Sequence, residues 1–175
     1  MIQYKNQEPD SKAFAIGTGW LIADDLLVTA GHCAYDWGND MGPAVTVKAY
    51  MGYSGKASIG NNSVQFRMGK RIVTTAAWLQ SEGKDRTSDV AFIQLDRPFK
   101  GNLNKISFED TPTRGTAKLG VVGYPGDKER DGEHGADMFE QFADVNYDLE
   151  KSIRHMLEYK ISTYGGMYHP VIFFI

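Results

Sequence analysis

Strand-like segments in this 175-residue chain are mostly about five to eight residues long, with turn residues between them. Runs that short cannot build helices of three turns, but they match the length and spacing of half-buried strands. Ala13-Phe14-Ala15-Ile16 leads through Gly17-Thr18-Gly19 into Trp20-Leu21-Ile22, and Asp24-Asp25 then turns the chain into Leu26-Leu27-Val28-Thr29. That stretch predicts a hairpin. Further strands are expected at Val45 to Tyr50, Arg71 to Ala76, Val90 to Leu95, Ala117 to Val122, Met138 to Val145, Met156 to Ile161 and Val171 to Ile175. The predicted class is all-β, a sandwich or barrel architecture. Ala30 to Tyr35 predicts one short helical turn, while Asp148 to Leu157 reads either as a helix or as a charged loop entering a strand.

One polar connection divides the chain. Between Arg97 and Gly115, Pro98, Gly101, Pro112 and Gly115 interrupt any regular element, which sets residues 1–100 apart from 101–175. No repeat of fixed period and no low-complexity stretch is present. Hydrophobic residues are 42% of the chain, enough to bury a core. The formal charge of −3 argues against nucleic acid as partner, because phosphate binding requires a basic surface. No apolar run approaches the roughly 18 to 20 residues of a membrane helix, so no membrane partner is expected. The opening residues show no basic segment followed by an apolar one, so no signal peptide is visible. The single cysteine, Cys33, excludes an internal disulfide and a Cys-rich zinc module. Oxygen ligands crowd between Asp127 and Asp137, but their spacing fits no calcium or zinc template. A solvated loop is expected there, with no metal.

The chemistry concentrates in two segments. In Leu27-Val28-Thr29-Ala30-Gly31-His32-Cys33 a β-branched strand passes two small residues and delivers a histidine at its end. Small side chains there let another group approach the imidazole closely, and histidine is the usual general base at neutral pH. In Thr87-Ser88-Asp89-Val90-Ala91-Phe92-Ile93-Gln94-Leu95 a carboxylate leads into an apolar strand. A carboxylate so placed is costly to bury unless hydrogen-bonded, and an imidazole N–H would satisfy it and fix its tautomer. The bland reading of Asp89, a turn residue opening a strand, is about as frequent. Cys33, directly beside His32, reads as a buried, inert thiol.

These two segments resemble the chymotrypsin-fold serine proteases, with His32 matching the catalytic histidine and Asp89 the catalytic aspartate in the family's chain order. Gly17-Thr18-Gly19-Trp20-Leu21-Ile22, Gly123-Tyr124-Pro125-Gly126-Asp127-Lys128 and Tyr159-Lys160-Ile161-Ser162-Thr163-Tyr164-Gly165-Gly166 are similar to the glutamyl-endopeptidase-like branch. The resemblance implies a two-barrel trypsin-like fold and serine-type endopeptidase activity on peptide or protein substrates. It implies no cofactor, a monomer, and a family typically secreted. Thr163 matches a substrate-pocket threonine, and Gly166 lies in the loop that would line the oxyanion hole.

The pattern then departs from the branch. After Thr-x-Gly-Gly the family places a variable residue and Ser-Gly-Ser-Pro-Val, whereas this chain reads Gly165-Gly166-Met167-Tyr168-His169-Pro170-Val171. The nucleophile position therefore holds Tyr168. A phenol with pKa near 10 on a bulky ring is a poor substitute for a serine hydroxyl. The second barrel is also short: about 70 residues do not supply six strands of roughly 5 to 6 residues with their turns. Sequence thus predicts an endopeptidase-family chain with an incomplete second barrel, inactive as it stands. The alternative is a non-catalytic peptide- or protein-binding relative, a pseudoprotease.

Overall fold

The computed structural model describes residues 1–8, 13–107, 110, 112–152, 156–157 and 171–174. The first half supplies strands β1 (Ile2–Tyr4), β2 (Trp20–Ala23), β3 (Leu26–Thr29), β4 (Tyr35–Asp36), β5 (Gly42–Met51), β6 (Gln65–Thr74) and β7 (Ala91–Leu95). Between them lie two short helices, α1 (Gly31–Ala34) and α2 (Ala76–Gln80), and two single 3-10 turns, Lys56–Ser58 and Arg86–Ser88. These strands form one antiparallel sheet in the order β1-β5-β6-β7-β3-β2, with β4 paired to β5. The predicted hairpin is present, with Trp20 opposite Val28 and Leu21 opposite Leu27.

The two outermost strands are not hydrogen-bonded partners, yet Ile2 and Tyr4 of β1 share one buried cluster with Leu21 of β2. Leu27, Val47, Ile93, Leu95, Phe99 and Cys33 complete that cluster. Edge strands can share a core only if the sheet curls around it. The first half is therefore a barrel-like sheet that hydrogen bonding leaves open.

The second half adds β8 (Arg114–Gly123), β9 (Glu129–Arg130), β10 (Glu133–His134), β11 (Phe139–Asp148) and β12 (Val171–Phe174). β8 is the centre of a three-stranded sheet between β11 and β12, and β9 pairs with β10 as a small hairpin. Leu119 and Val121 of β8 are buried beneath Ala117, Ala143, Val145 and Leu157. Among the described residues these three strands form an incomplete second barrel, in keeping with the resemblance.

Polar contacts tie the halves together. The Tyr124 amide donates to Thr18 Oγ1 at 3.0 Å, and the Tyr124 hydroxyl donates to the Tyr53 carbonyl at 3.1 Å. Glu133 accepts from the Tyr53 hydroxyl and, at 2.7 Å, from the Lys56 amide. Arg130 reaches across to the Ser54 carbonyl at 2.6 Å.

Three sequence expectations need adjustment. The strand expected from Arg71 to Ala76 begins earlier, at Gln65, and stops at Thr74. Thr75 ends it, because its hydroxyl accepts from the Trp78 amide at 3.0 Å and caps α2. From Leu149 to Ser152 the chain turns where a helix was possible, Asp148 Oδ1 accepting from the amides of Glu150 and Lys151, and residues 153–155 lie outside the described residues. Of the strand expected at Met156 to Ile161, Met156 and Leu157 are not in a strand, and the remainder lies outside the described residues.

Candidate active site

His32 sits on α1, one turn of helix that begins as soon as β3 ends. Ala30 and Gly31 allow this sharp change of direction, and Cys33 N–H closes it onto the Ala30 carbonyl at 3.1 Å. Two hydroxyls fix its surroundings. Thr29 Oγ1 donates to the Thr18 carbonyl at 2.8 Å, and the Tyr4 hydroxyl donates to the His32 carbonyl at 3.2 Å.

Asp89 arrives from the 3-10 turn Arg86–Ser88, immediately before β7. Asp85 stabilises that turn by accepting from the Thr87 hydroxyl at 2.6 Å and the Ser88 hydroxyl at 2.8 Å. The backbone on either side of Asp89 is held as well. Thr75 Oγ1 donates to the Ser88 carbonyl at 2.7 Å and Thr74 Oγ1 to the Val90 carbonyl at 2.8 Å.

The structure brings His32 and Asp89, 57 positions apart, into direct contact. Asp89 Oδ2 lies 2.7 Å from His32 Nδ1, while Asp89 Oδ1 accepts from the His32 backbone amide at 2.9 Å. Both carboxylate oxygens are thus engaged by one residue, which sets the position and the plane of the imidazole. Burial pushes the Asp89 carboxyl up, but the hydrogen bonds and charge attraction from His32, with Arg86 adding its charge, hold it below the ordinary value. Asp89 is therefore an anion at neutral pH. An ionised Asp89 accepts a proton-bearing Nδ1, and that tautomer makes Nε2 the basic nitrogen.

Burial pushes the Cys33 thiol up to about 12, so it stays protonated at neutral pH and is no nucleophile. Tyr168, Thr163 and Gly166 lie outside the described residues. Among the described residues, no group of three or more His, Cys, Asp and Glu side chains is placed to hold a metal ion. A cavity of about 380 Å3 opens between the core of the first sheet and Tyr124, Val122 and Met138 of the second half, but neither His32 nor Asp89 lines it.

Two neighbours of the pair escaped the sequence reading. Trp78 on α2 is buried, anchored by its indole N–H to the Tyr35 carbonyl at 3.1 Å, and its ring centre lies 6.2 Å from that of His32. Arg86 Nη1 is 3.8 Å from Asp89 Oδ2. A Thr-x-x-Trp cap and a cation three residues before the acid were the available signals.

The role expected for the small residues before His32 also changes. Gly31 faces the aspartate: a Cβ there would come within 3.0 Å of Thr74 Oγ1, 3.1 Å of Asp89 Oδ1 and 3.1 Å of the Val90 amide. Gly31→Ala is expected to cost about 1–3 kcal/mol through overpacking and to push the carboxylate off the imidazole. Urea unfolding reads the first effect, and the downfield Nδ1 proton signal in NMR reads the second. Stability and signal both unchanged would show that the carboxylate has room to spare.

An open curled β sheet, a second partial sheet bonded to it, and an imidazole–carboxylate contact define a chymotrypsin-like serine protease architecture. The chain belongs to the trypsin family, whose sequence profile matches residues 2–156. It is 24% identical over 164 residues to the glutamyl endopeptidase of Bacillus licheniformis, a match covering 89% of this chain and 44% of that protein. The chain thus spans less than half the length of that curated relative. Among solved structures it is similar to a Glu endopeptidase in complex with MPD, with a TM-score of 0.67, 19% identity, and coverage of 89% of this chain and 67% of the other. It is also similar to a mutant of human heparin binding protein, with a TM-score of 0.58, 14% identity, and coverage of 91% and 69%. At these identities the structural likenesses establish the fold, and the family is that of trypsin.

Proposed function

We propose that this chain carries the base-and-orienter half of a serine endopeptidase and does not by itself complete peptide hydrolysis. The observation behind the first part is the doubly bonded contact of Asp89 with His32, at 2.7 Å and 2.9 Å. In the reaction of this class, a serine hydroxyl attacks the scissile carbonyl, a histidine takes its proton, and an aspartate holds the histidine in the correct tautomer. In this reading His32 is the base and Asp89 the orienter. Backbone N–H groups around Gly166 would stabilise the oxyanion, and Thr163 would contact a peptide or protein substrate. Residues 1–100 and 101–175 form the two halves of one peptidase domain, with the base and its orienter both supplied by the first.

The second part rests on Tyr168 in the nucleophile position. A phenol is a weaker nucleophile and a bulkier group than a serine hydroxyl, and a ring at the nucleophile position would compete with the scissile carbonyl for space. The alternative reading, a peptide-binding relative without turnover, rests on the same replacement at Tyr168.

The purified chain is expected to cleave neither a protein substrate nor a peptide library containing Glu-X bonds above the buffer rate. It is also expected to resist labelling by a fluorophosphonate. Turnover that disappears in His32→Ala, or a labelled serine or cysteine, would reject the inactive reading. Peptide binding without turnover, measured by calorimetry, would select the binding relative.

A further inference from the structure

Asp89 Oδ2 is approached by two nitrogens, His32 Nδ1 at 2.7 Å and Arg86 Nη1 at 3.8 Å. Arg86 opens the 3-10 turn that ends at Asp89, so the turn itself sets the spacing between cation and carboxylate. Its guanidinium also lies over the Trp78 ring, 5.8 Å from the ring centre. Trp78 is the residue whose other neighbour is the His32 imidazole. A long, mostly exposed side chain is thus held at both its charge and its plane.

We infer that Arg86 is a positioning residue for the His32–Asp89 couple, its guanidinium steadying Oδ2 opposite Nδ1. The inference rests on the proposed reading of His32 and Asp89 as base and orienter. Oδ1 is already fixed by the His32 backbone amide, so Arg86 acts on the oxygen that has only side-chain partners.

The charged and titratable groups around the couple, among the described residues, come from every neighbouring element. Those that meet the couple are Tyr4 of β1, whose hydroxyl donates to the His32 carbonyl, Cys33 of α1, which feels the Asp89 charge, and Arg86 itself, while the Met1 amine and Asp36 of β4 act on Cys33 one step further out. Tyr4 and Cys33 are neutral, because burial pushes both up. Arg86 is the member of this set that attracts Asp89 across the protein surface, and salt weakens such an attraction.

Arg86→Gln keeps most of the stem over Trp78 and removes the charge, while Arg86→Lys keeps the charge. The Asp89 carboxyl carbon is followed by NMR as pH falls; if the chain unfolds first, the acid-unfolding midpoint is read instead. At low ionic strength Arg86→Gln is expected to move that midpoint up by about 0.2–0.7 pH unit, the size of a partly exposed ion pair. Arg86→Lys is expected to recover most of the shift, and about 1 M salt to erase the difference between variants. Coincident midpoints for Arg86→Gln and the unaltered chain at low salt, or a downward shift, would overturn the inference. Asp89→Asn separates the two claims. If the His32 ring 15N signals ignore that change, the base–orienter reading fails. If they respond while Arg86→Gln leaves Asp89 unmoved, only the role of Arg86 is lost.

Discussion

Asp89→Asn is expected to leave the fold intact, to cost about 1.5–3 kcal/mol at neutral pH, and to remove part of the acid sensitivity of the chain. In the folded state burial pushes the Asp89 carboxyl up, but His32 and Arg86 outweigh burial and hold it below its ordinary value. An unfolded aspartate titrates at about 3.9. The folded chain therefore binds this proton less readily than the unfolded chain does. Its stabilising contribution is present in full above about pH 5 and drains away as pH falls below about 4, through the lower folded value. Asparagine has no such limb. The stability gap between variant and unaltered chain should be at its full size at pH 5 and narrow from there toward pH 3. Urea unfolding at pH 7, 5, 4 and 3 measures it, and a gap that stays constant or widens in acid would contradict the assignment. A second readout is the tautomer. With its amide oxygen accepting from the His32 backbone N–H, the asparagine turns an N–H2 toward Nδ1, which must then give up its proton to Nε2. The 15N shifts of the ring report that exchange directly.

The half of the site that sequence made legible is the half built from local signals. A strand that breaks at two small residues before His32, and an acid placed before Val90-Ala91-Phe92-Ile93, are features of contiguous sequence. Their meeting across 57 positions was readable only through the family resemblance, since neither segment encodes its partner. What sequence did not show is what non-local packing decides. Gly31 reads as open space before an imidazole, but that space is occupied by the Asp89 carboxylate and the Val90 amide. Thr75 has the β-branched shape of a strand residue, and its hydroxyl instead starts α2 and brings Trp78 beside His32. Gln65 to Lys70 carries too little apolar alternation to stand out as a strand; pairing with Lys48 to Met51 of β5 draws it into one. The open edge of the first sheet was equally invisible, because closure depends on which outer strands hydrogen-bond and not on how many strands exist.

Ile93→Ala and Leu119→Ala test whether the halves stand or fall together. Ile93 is 2% exposed on β7, opposite Leu27 of β3 on one side and Ile72 of β6 on the other, inside the larger buried cluster. Neighbours on both flanks are strands fixed by ladder hydrogen bonds, so the cavity left by truncation collapses poorly. A loss of about 3–5 kcal/mol is expected, in the upper part of the range for Ile→Ala. Leu119 is fully buried on β8, but among the described residues its cluster holds one other buried residue and several half-buried ones that can relax inward. About 2–3 kcal/mol is expected there. The bonds of Tyr124 to Thr18 and Tyr53, and of Glu133 and Arg130 to the Tyr53–Lys56 loop, couple the two clusters through the polar seam. Both variants should therefore lower one shared thermal transition, by about 2–4 °C for each kcal/mol lost, with Ile93→Ala the more severe. Calorimetry decides between this and independent halves. Two separate transitions, with Leu119→Ala moving only one of them, would mean that the seam does not couple the sheets and that the couple on the first sheet is stable without the second.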